Sequence, residues 1–265
     1  MTISHRIITI MAGLALTFAA GCGKSSDKLK VGVISGKEEE VAQVAVRIAK
    51  EKYGVDVELV TFSDYMNPNA ALADGSLDAN AFQHRQYLDQ QIADRGYKLV
   101  PIGNTFVYPI AAYSQRIKKL SELKDGAQIA VPNDPTNLGR ALVLLEKQGL
   151  FELKPGVGVH ASVLDITSNP RGFKIIEIEA PQLPRALSDV DLAVINTTYA
   201  SQINLSPKND GLFSEDETSP YVNLIVARED NKDAPALKKF VQAYQNEEVH
   251  AAAVAQFRGG VVKGW

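Results

Sequence analysis

From about Leu29 onward, strand-like and helix-like hydrophobic patterns alternate along the chain. "LKVGVI" reads as a strand. "KEEEVAQVAVRIAKEKYG" then places Val41, Val44, Ala45 and Ile48 on one helical face, and Gly54 supplies the stop. "VDVELVTF", "DANAF" and "KLVPIG" read as further strands, with "HRQYLDQQIADRGY" as a helix between the last two. A second set opens at "AQIAVP" and continues through "FKIIEIEA" to "DLAVIN", a nearly unbroken apolar run that suits a strand buried on both faces. "YVNLIVAR" follows, then a C-terminal helix carrying Leu237, Phe240, Val241 and Tyr244. Alternation of this kind predicts an α/β protein with mainly parallel sheets.

Two extended stretches interrupt the alternation. "NTFVYPIAAYS" has a proline inside it, and "SPYVNLIVARED" comes about a hundred residues later. Both read as crossings between lobes. The expected division is one lobe at 29–110 plus 221–265 and a second at 111–220. Two such lobes enclose a cleft at the carboxyl ends of their parallel strands, where ligands bind and where hinge closure buries them.

"IAVPNDPTNLGRALVLL" reads as a strand, a polar turn and a helix. Asp134 is the expected N-cap, and Pro135 suits the first helical position. Leu138, Ala141, Leu142 and Leu145 form the apolar stripe. Arg140 lies opposite that stripe, and its side chain leans toward the positive end of the helix dipole. A cation is disfavoured there unless an anion joins it. The expectation is that Arg140 and the N–H groups around Thr136 and Asn137 grip a ligand carboxylate, and that without ligand the arginine faces an open, wet cleft.

The N-terminus changes the picture of where the protein resides. His5 and Arg6 precede an apolar run from Ile7 to Ala20. That run is shorter than the about 20 residues a bilayer span needs, and it suits a secretory signal. The chain's single cysteine, Cys22, follows small residues directly and resembles the lipidation site of bacterial lipoproteins, although Ala19 stands where leucine is usual. Residues 1–21 are therefore expected to be a lipoprotein signal peptide and 22–28 a tether, with the mature chain held to a bacterial membrane by an acyl chain on Cys22, facing the periplasm or cell exterior. With one cysteine there is no internal disulfide. The net charge of −3 includes Arg6, and nothing basic is clustered, which argues against nucleic acid as a partner.

Little in the chain points to catalysis. There is no nucleophile elbow, P-loop or metalloprotease motif. "GVGVHA" follows no strand and reads as a loop. The histidines lack metal-ligand spacing, and no carboxylate pair stands out, so neither cofactor nor metal is expected. Polar residues instead gather at strand ends: Phe82, Gln83, His84 and Tyr87 in "AFQHRQY", Asn196, Thr197 and Thr198 in "VINTTYA", Asn223 in "SPYVNLIV", and Tyr65 in "FSDYMNPN". Amides, hydroxyls and aromatics with one arginine suit a small zwitterion with an apolar side chain. None of these named strand-end residues is an aspartate or glutamate, which argues against a basic amino acid.

"GNTFVYPIAAYS", "VPNDPTNLGRALVLL", "EAPQLPR", "LAVINTTYASQI", "SPYVNLIVAREDNKDA" and "GGVVKGW" resemble the methionine-binding lipoproteins of bacterial methionine ABC importers, the NlpA lipoprotein family. The resemblance runs from about Leu29 to Trp265. It implies a two-lobed, type II periplasmic-binding-protein fold and an ABC importer permease as membrane partner. It also implies that Arg140 holds the amino-acid carboxylate, that Asn196 and Asn223 take the α-amino and carboxylate groups, and that Tyr65, Phe82, His84 and Tyr87 line a thioether pocket. The alternatives are a binding protein for another small apolar amino acid or a methionine-containing dipeptide, or an enzyme on the same fold.

Overall fold

The computed structural model describes residues 28–216 and 218–265; the signal segment, Cys22 and most of the tether lie outside them. The first lobe begins with β1 (Leu29–Ile34), α1 (Lys37–Tyr53), β2 (Val57–Phe62), α2 (Asn67–Ala73), β3 (Ala79–His84), α3 (Arg85–Arg95) and β4 (Leu99–Val107). The chain then crosses into β5 (Ala111–Tyr113), β6 (Gln128–Pro132), α4 (Pro135–Lys147), β7 (Glu152–Leu153), β8 (Ile166–Ser168) and β9 (Lys174–Ile178). Next come α5 (Leu183–Ala186), β10 (Leu192–Ile195), α6 (Thr197–Ala200), α7 (Pro207–Asp210) and β11 (Phe213–Ser214). It returns through β12 (Val222–Arg228), α8 (Pro235–Tyr244), α9 (Glu247–Gln256) and β13 (Val262–Lys263). The single C-terminal helix read from the sequence is thus two, α8 and α9, separated where Asn246 caps the second through the Glu248 N–H.

Two main sheets result, with strand orders β13-β4-β12-β3-β1-β2 and β11-β5-β10-β6-β9. They are mixed rather than mainly parallel. Within each, β1 pairs in parallel with β2 and β3, and β6 with β9 and β10. β12 runs antiparallel to both β3 and β4, and β5 runs antiparallel to β10 and β11. The crossings explain this. Strands such as β3, β6 and β10 run toward the interlobe cleft, whereas a strand arriving from the other lobe starts at the cleft and runs away from it. Local alternation of strand and helix does not reveal that reversal.

The lobes meet tightly. Ile34, Phe82 and Tyr87 from the first sheet's side share an apolar cluster with Ile195, Tyr199 and Ala200 from the second. Tyr65 packs against Tyr199 with tilted rings whose centroids are 4.9 Å apart. Two local features aim side chains at this junction. The β3–β12 register shifts so that Ala81 faces Ile225 and Gln83 faces Leu224, leaving Phe82 as an extra residue. Asn223 Nδ2 donates to the carbonyl of Phe82 at 2.9 Å. The second feature is Gly139 on α4, where a Cβ would lie 2.1 Å from the Val159 carbonyl oxygen. Only glycine allows the "GVGVHA" segment, here a short 3₁₀ turn over Gly158–His160, to pack so closely on the helix.

Candidate functional site

The stripe of Leu138, Ala141, Leu142 and Leu145 is buried as its spacing predicts, but Thr136, Asn137, Gly139, Arg140 and Leu144 are buried too. From Thr136 to Leu142 α4 is therefore enclosed on all sides, with Pro135 exposed at its start. This corrects the expectation that Arg140 faces an open, wet cleft: its side chain is 3% exposed. Arg140 Nε donates to Glu215 Oε1 at 2.7 Å and Nη2 donates to Oε2 of the same carboxylate. Nη2 also donates to the Tyr108 carbonyl at 3.0 Å, and the guanidinium carbon sits 4.1 Å from the centre of the Tyr221 ring. The anion that the dipole argument requires is supplied within the protein. A guanidinium carries five donors, and among the described residues none accepts from Nη1. Glu215 is held in turn by the Ile110 N–H and the Ser219 hydroxyl, both at 3.1 Å, so it ties α4 to both crossings.

Beside Arg140 lies a chain of amides. Asp134 accepts from the Asn137 backbone N–H at 3.0 Å, which is the N-cap read from the sequence. It also accepts from Asn137 Nδ2, at 2.9 Å to Oδ1 and 3.0 Å to Oδ2. Asn137 Oδ1 accepts from Asn196 Nδ2 at 2.9 Å. Asn196 Oδ1 is buried and has no hydrogen-bond partner among the described residues. Burial pushes the Asp134 carboxyl upward, opposed by the bonds from Asn137 and Thr136 and by the charge of Arg140.

His84 completes the junction. Its Nδ1 caps α3 by accepting from the Tyr87 N–H at 3.2 Å, so the ring proton belongs on Nε2, which lies 3.5 Å from Asn137 Oδ1. Burial and the charge of Arg140 push His84 down to about 3, so the imidazole is neutral at physiological pH. Phe82, Tyr65 and Tyr87 form an aromatic cluster with centroids about 6 Å apart, and the Tyr87 hydroxyl donates to the Tyr65 carbonyl.

All eight ligand-contact residues expected from the sequence (Arg140, Asn196, Asn223, Phe82, His84, Tyr87, Tyr65 and Asn137) line one small cavity of about 20 Å³. Gln83, Tyr108, Thr197 and Thr198 complete it. Asn223 spends its amide N–H on Phe82, and its Oδ1 accepts no bond among the described residues. Lipidation at Cys22 falls outside the described residues.

The carboxylates around the cavity escape sequence reasoning. Glu38 reads as a dipole-favoured acid in the first turn of α1, yet it is 3% exposed and accepts a hydrogen bond from the Thr198 hydroxyl across the lobes. Burial raises it to about 8, and the Thr198 bond only partly opposes this. Glu215 sits in the acidic run "SEDET" and carries no local signal. Buried acceptors, one arginine with a donor to spare and an aromatic wall match the chemistry of a small zwitterion with an apolar side chain. Among the described residues, no cluster of histidine, cysteine or carboxylates could hold a metal ion.

Two α/β lobes closed on such a cavity are the architecture of a substrate-binding protein. The NlpA lipoprotein family profile matches residues 29–265, and the chain belongs to that family. The chain is 65% identical over 261 residues to the D-methionine-binding lipoprotein MetQ of Salmonella typhimurium, covering 97% of this chain and 95% of the relative. The crystal structure of the methionine-binding protein MetQ superposes with a TM-score of 0.89 at 67% identity, covering 90% of this chain and 98% of that one. A nutrient-binding protein from Burkholderia cenocepacia bound to methionine gives 0.88 at 51% identity, covering 89% of this chain and all of that one.

Proposed function

We propose that this chain is an extracytoplasmic binding lipoprotein that captures methionine in its interlobe cleft and delivers it to an ABC importer. The unpartnered oxygen of Asn196 carries the reading. A buried acceptor without a donor costs about 1–3 kcal/mol, and an ammonium relieves that cost. Arg140 Nη1 supplies the counterpart for a carboxylate, with a charge-assisted hydrogen bond. Tyr65, Phe82 and Tyr87 give an apolar wall for an unbranched thioether chain. The binding lobes are 29–110 with 221–265 and 111–220, Cys22 carries the acyl anchor, and the importer permease receives the loaded form. The protein is read as binding its ligand without converting it, and the names of its relatives as methionine-binding lipoproteins support this.

The experiment is calorimetric titration of ligand-stripped protein with methionine, lysine and glutamate. Burying an unpaired side-chain charge costs far more than losing a methylene. Methionine is expected to bind at least ~100-fold tighter than either charged amino acid, about 2.8 kcal/mol at 1.4 kcal/mol per tenfold. Equal affinity for lysine or glutamate rejects the proposal.

A further inference from the structure

We infer that Asp134 is a positioning residue which fixes the polarity of the amide chain and so makes Asn196 present an acceptor, not a donor, to the cavity. The inference rests on the proposed reading in one respect, that a ligand ammonium sits at Asn196 Oδ1.

The argument begins with what each group is able to do. A carboxylate only accepts hydrogen bonds, whereas a side-chain amide has one accepting and one donating end that differ by a rotation of half a turn. Asp134 is the fixed end of the chain. It takes the Asn137 backbone N–H, the Asn137 Nδ2 and the Thr136 hydroxyl, at 2.9–3.3 Å. Turning the Asn137 amide over would set its oxygen against this carboxylate at hydrogen-bond distance and leave the buried Nδ2 pointing at another donor. Asn137 must therefore aim its oxygen away from Asp134, toward Asn196. Asn196, 7% exposed, must then answer with Nδ2, at 2.9 Å. Its oxygen is what remains for the cavity, and that oxygen is the unpartnered one.

His84 contributes in the same sense but more weakly. The Tyr87 N–H consumes Nδ1, so Nε2–H points to Asn137 Oδ1 at 3.5 Å, the outer limit of a hydrogen bond. The short, charged contacts at Asp134 dominate. A residue chosen as a helix cap thus also sets the sign of a ligand contact two side chains away. Asparagine or serine would cap α4 about as well as aspartate. Neither is restricted to accepting, so neither would fix the chain's direction.

Asp134→Asn separates the two roles. It keeps the cap, so the fold is expected to survive, but it allows both amide orientations. The probes are methionine and 4-(methylthio)butanoate, which lacks the ammonium and keeps the carboxylate and thioether. Wild type is expected to prefer methionine by at least ~100-fold. In Asp134→Asn that preference is expected to fall to roughly tenfold or less, with the butanoate affinity changed less than ~3-fold. An equal loss for both compounds, or an undiminished preference, overturns the inference, because a structural defect would move both affinities together.

A second measurement does not depend on the ligand. Scalar coupling across the hydrogen bond should connect Asn196 ¹⁵Nδ2 to Asn137 ¹³Cγ in the ligand-free wild type and weaken in Asp134→Asn. Coupling in the reverse sense, from Asn137 Nδ2 to Asn196 Cγ, overturns the inference. If wild type binds neither compound while the coupling runs as expected, the methionine reading fails and the polarity assignment stands.

Discussion

Arg140→Ala should damage the protein twice. The arginine holds Glu215 through two donors, holds the Tyr108 carbonyl, and stacks on Tyr221. Its removal leaves the Glu215 carboxylate, 11% exposed, with only the Ile110 N–H and Ser219 hydroxyl among the described residues. Removing one partner of a buried pair costs about 3–5 kcal/mol. The two surviving donors place this case near the lower end, about 3 kcal/mol. For a chain of this size, ~1 kcal/mol corresponds to roughly 2–4 °C, so the ligand-free Tm should fall by about 6–12 °C. Binding should suffer separately, because Nη1 is the donor left for a carboxylate. Loss of a buried charged partner costs on the order of 2–5 kcal/mol, so methionine should bind at least ~30-fold more weakly. Thermal melts and calorimetric titration of ligand-stripped protein read the two effects. The double variant Arg140→Ala/Glu215→Gln should recover much of the Tm, since the stranded charge is gone, and none of the affinity. Arg140→Lys should be intermediate, because a point charge lacks the planar fork. An unchanged Tm in Arg140→Ala would refute the buried-pair reasoning, and an unchanged affinity would refute the carboxylate role.

Glu38 should give the protein a pH-dependent stability. Its folded-state pKa of about 8 lies above the ordinary 4.5, so the folded state binds the extra proton. No penalty exists below about pH 4.5. It grows as pH rises and is complete above about 8. Wild-type Tm should therefore decline from pH 5 to pH 8.5 more steeply than that of Glu38→Gln, and parallel profiles would count against a protonated Glu38. The anchor is tested by Cys22→Ser, which should leave folding and ligand affinity intact while moving the protein from membrane to soluble fractions; intact-mass measurement of the wild type without an acyl chain would contradict the lipid anchor.

Much of this fold is written in short-range pattern. Hydrophobic spacing marks the longer elements, among them β1, α1, β2, β6, α4, β9, β10, β12 and α8, and the Asp134–Pro135 pair marks the start of α4, whereas the short α2, α5, α6 and α7 leave no such mark. The two extended stretches, each containing a proline, are where the sequence places the crossings between lobes. The direction of β12 is not legible, because it depends on where a distant chain re-enters the sheet. The same limit governs the site. Aromatics and amides at strand ends are visible because polar groups stand out against apolar runs. The need for an anion at Arg140 is also visible, from the helix dipole alone. Its internal partner is not, since Glu215 lies 75 residues away in a run that looks like acidic surface. Glu38 hides for the opposite reason: a glutamate in the first helical turn is so well explained by local electrostatics that nothing signals its burial by Thr198. Sequence reasoning found the walls of the cavity and the Asp134 cap, and missed the Glu38 and Glu215 carboxylates behind them.

The central claim is that the cavity recognises both ends of a zwitterion, the carboxylate at Arg140 and the ammonium at Asn196. The most direct measurement is calorimetric titration of ligand-stripped wild type with methionine and methioninamide, which keeps the ammonium and thioether and removes the carboxylate charge. Methionine is expected to bind with the stoichiometry of one site, and methioninamide at least ~30-fold more weakly, the cost of leaving Arg140 Nη1 without its charged partner. Methioninamide binding as tightly as methionine, or no binding of methionine at all, would contradict the account.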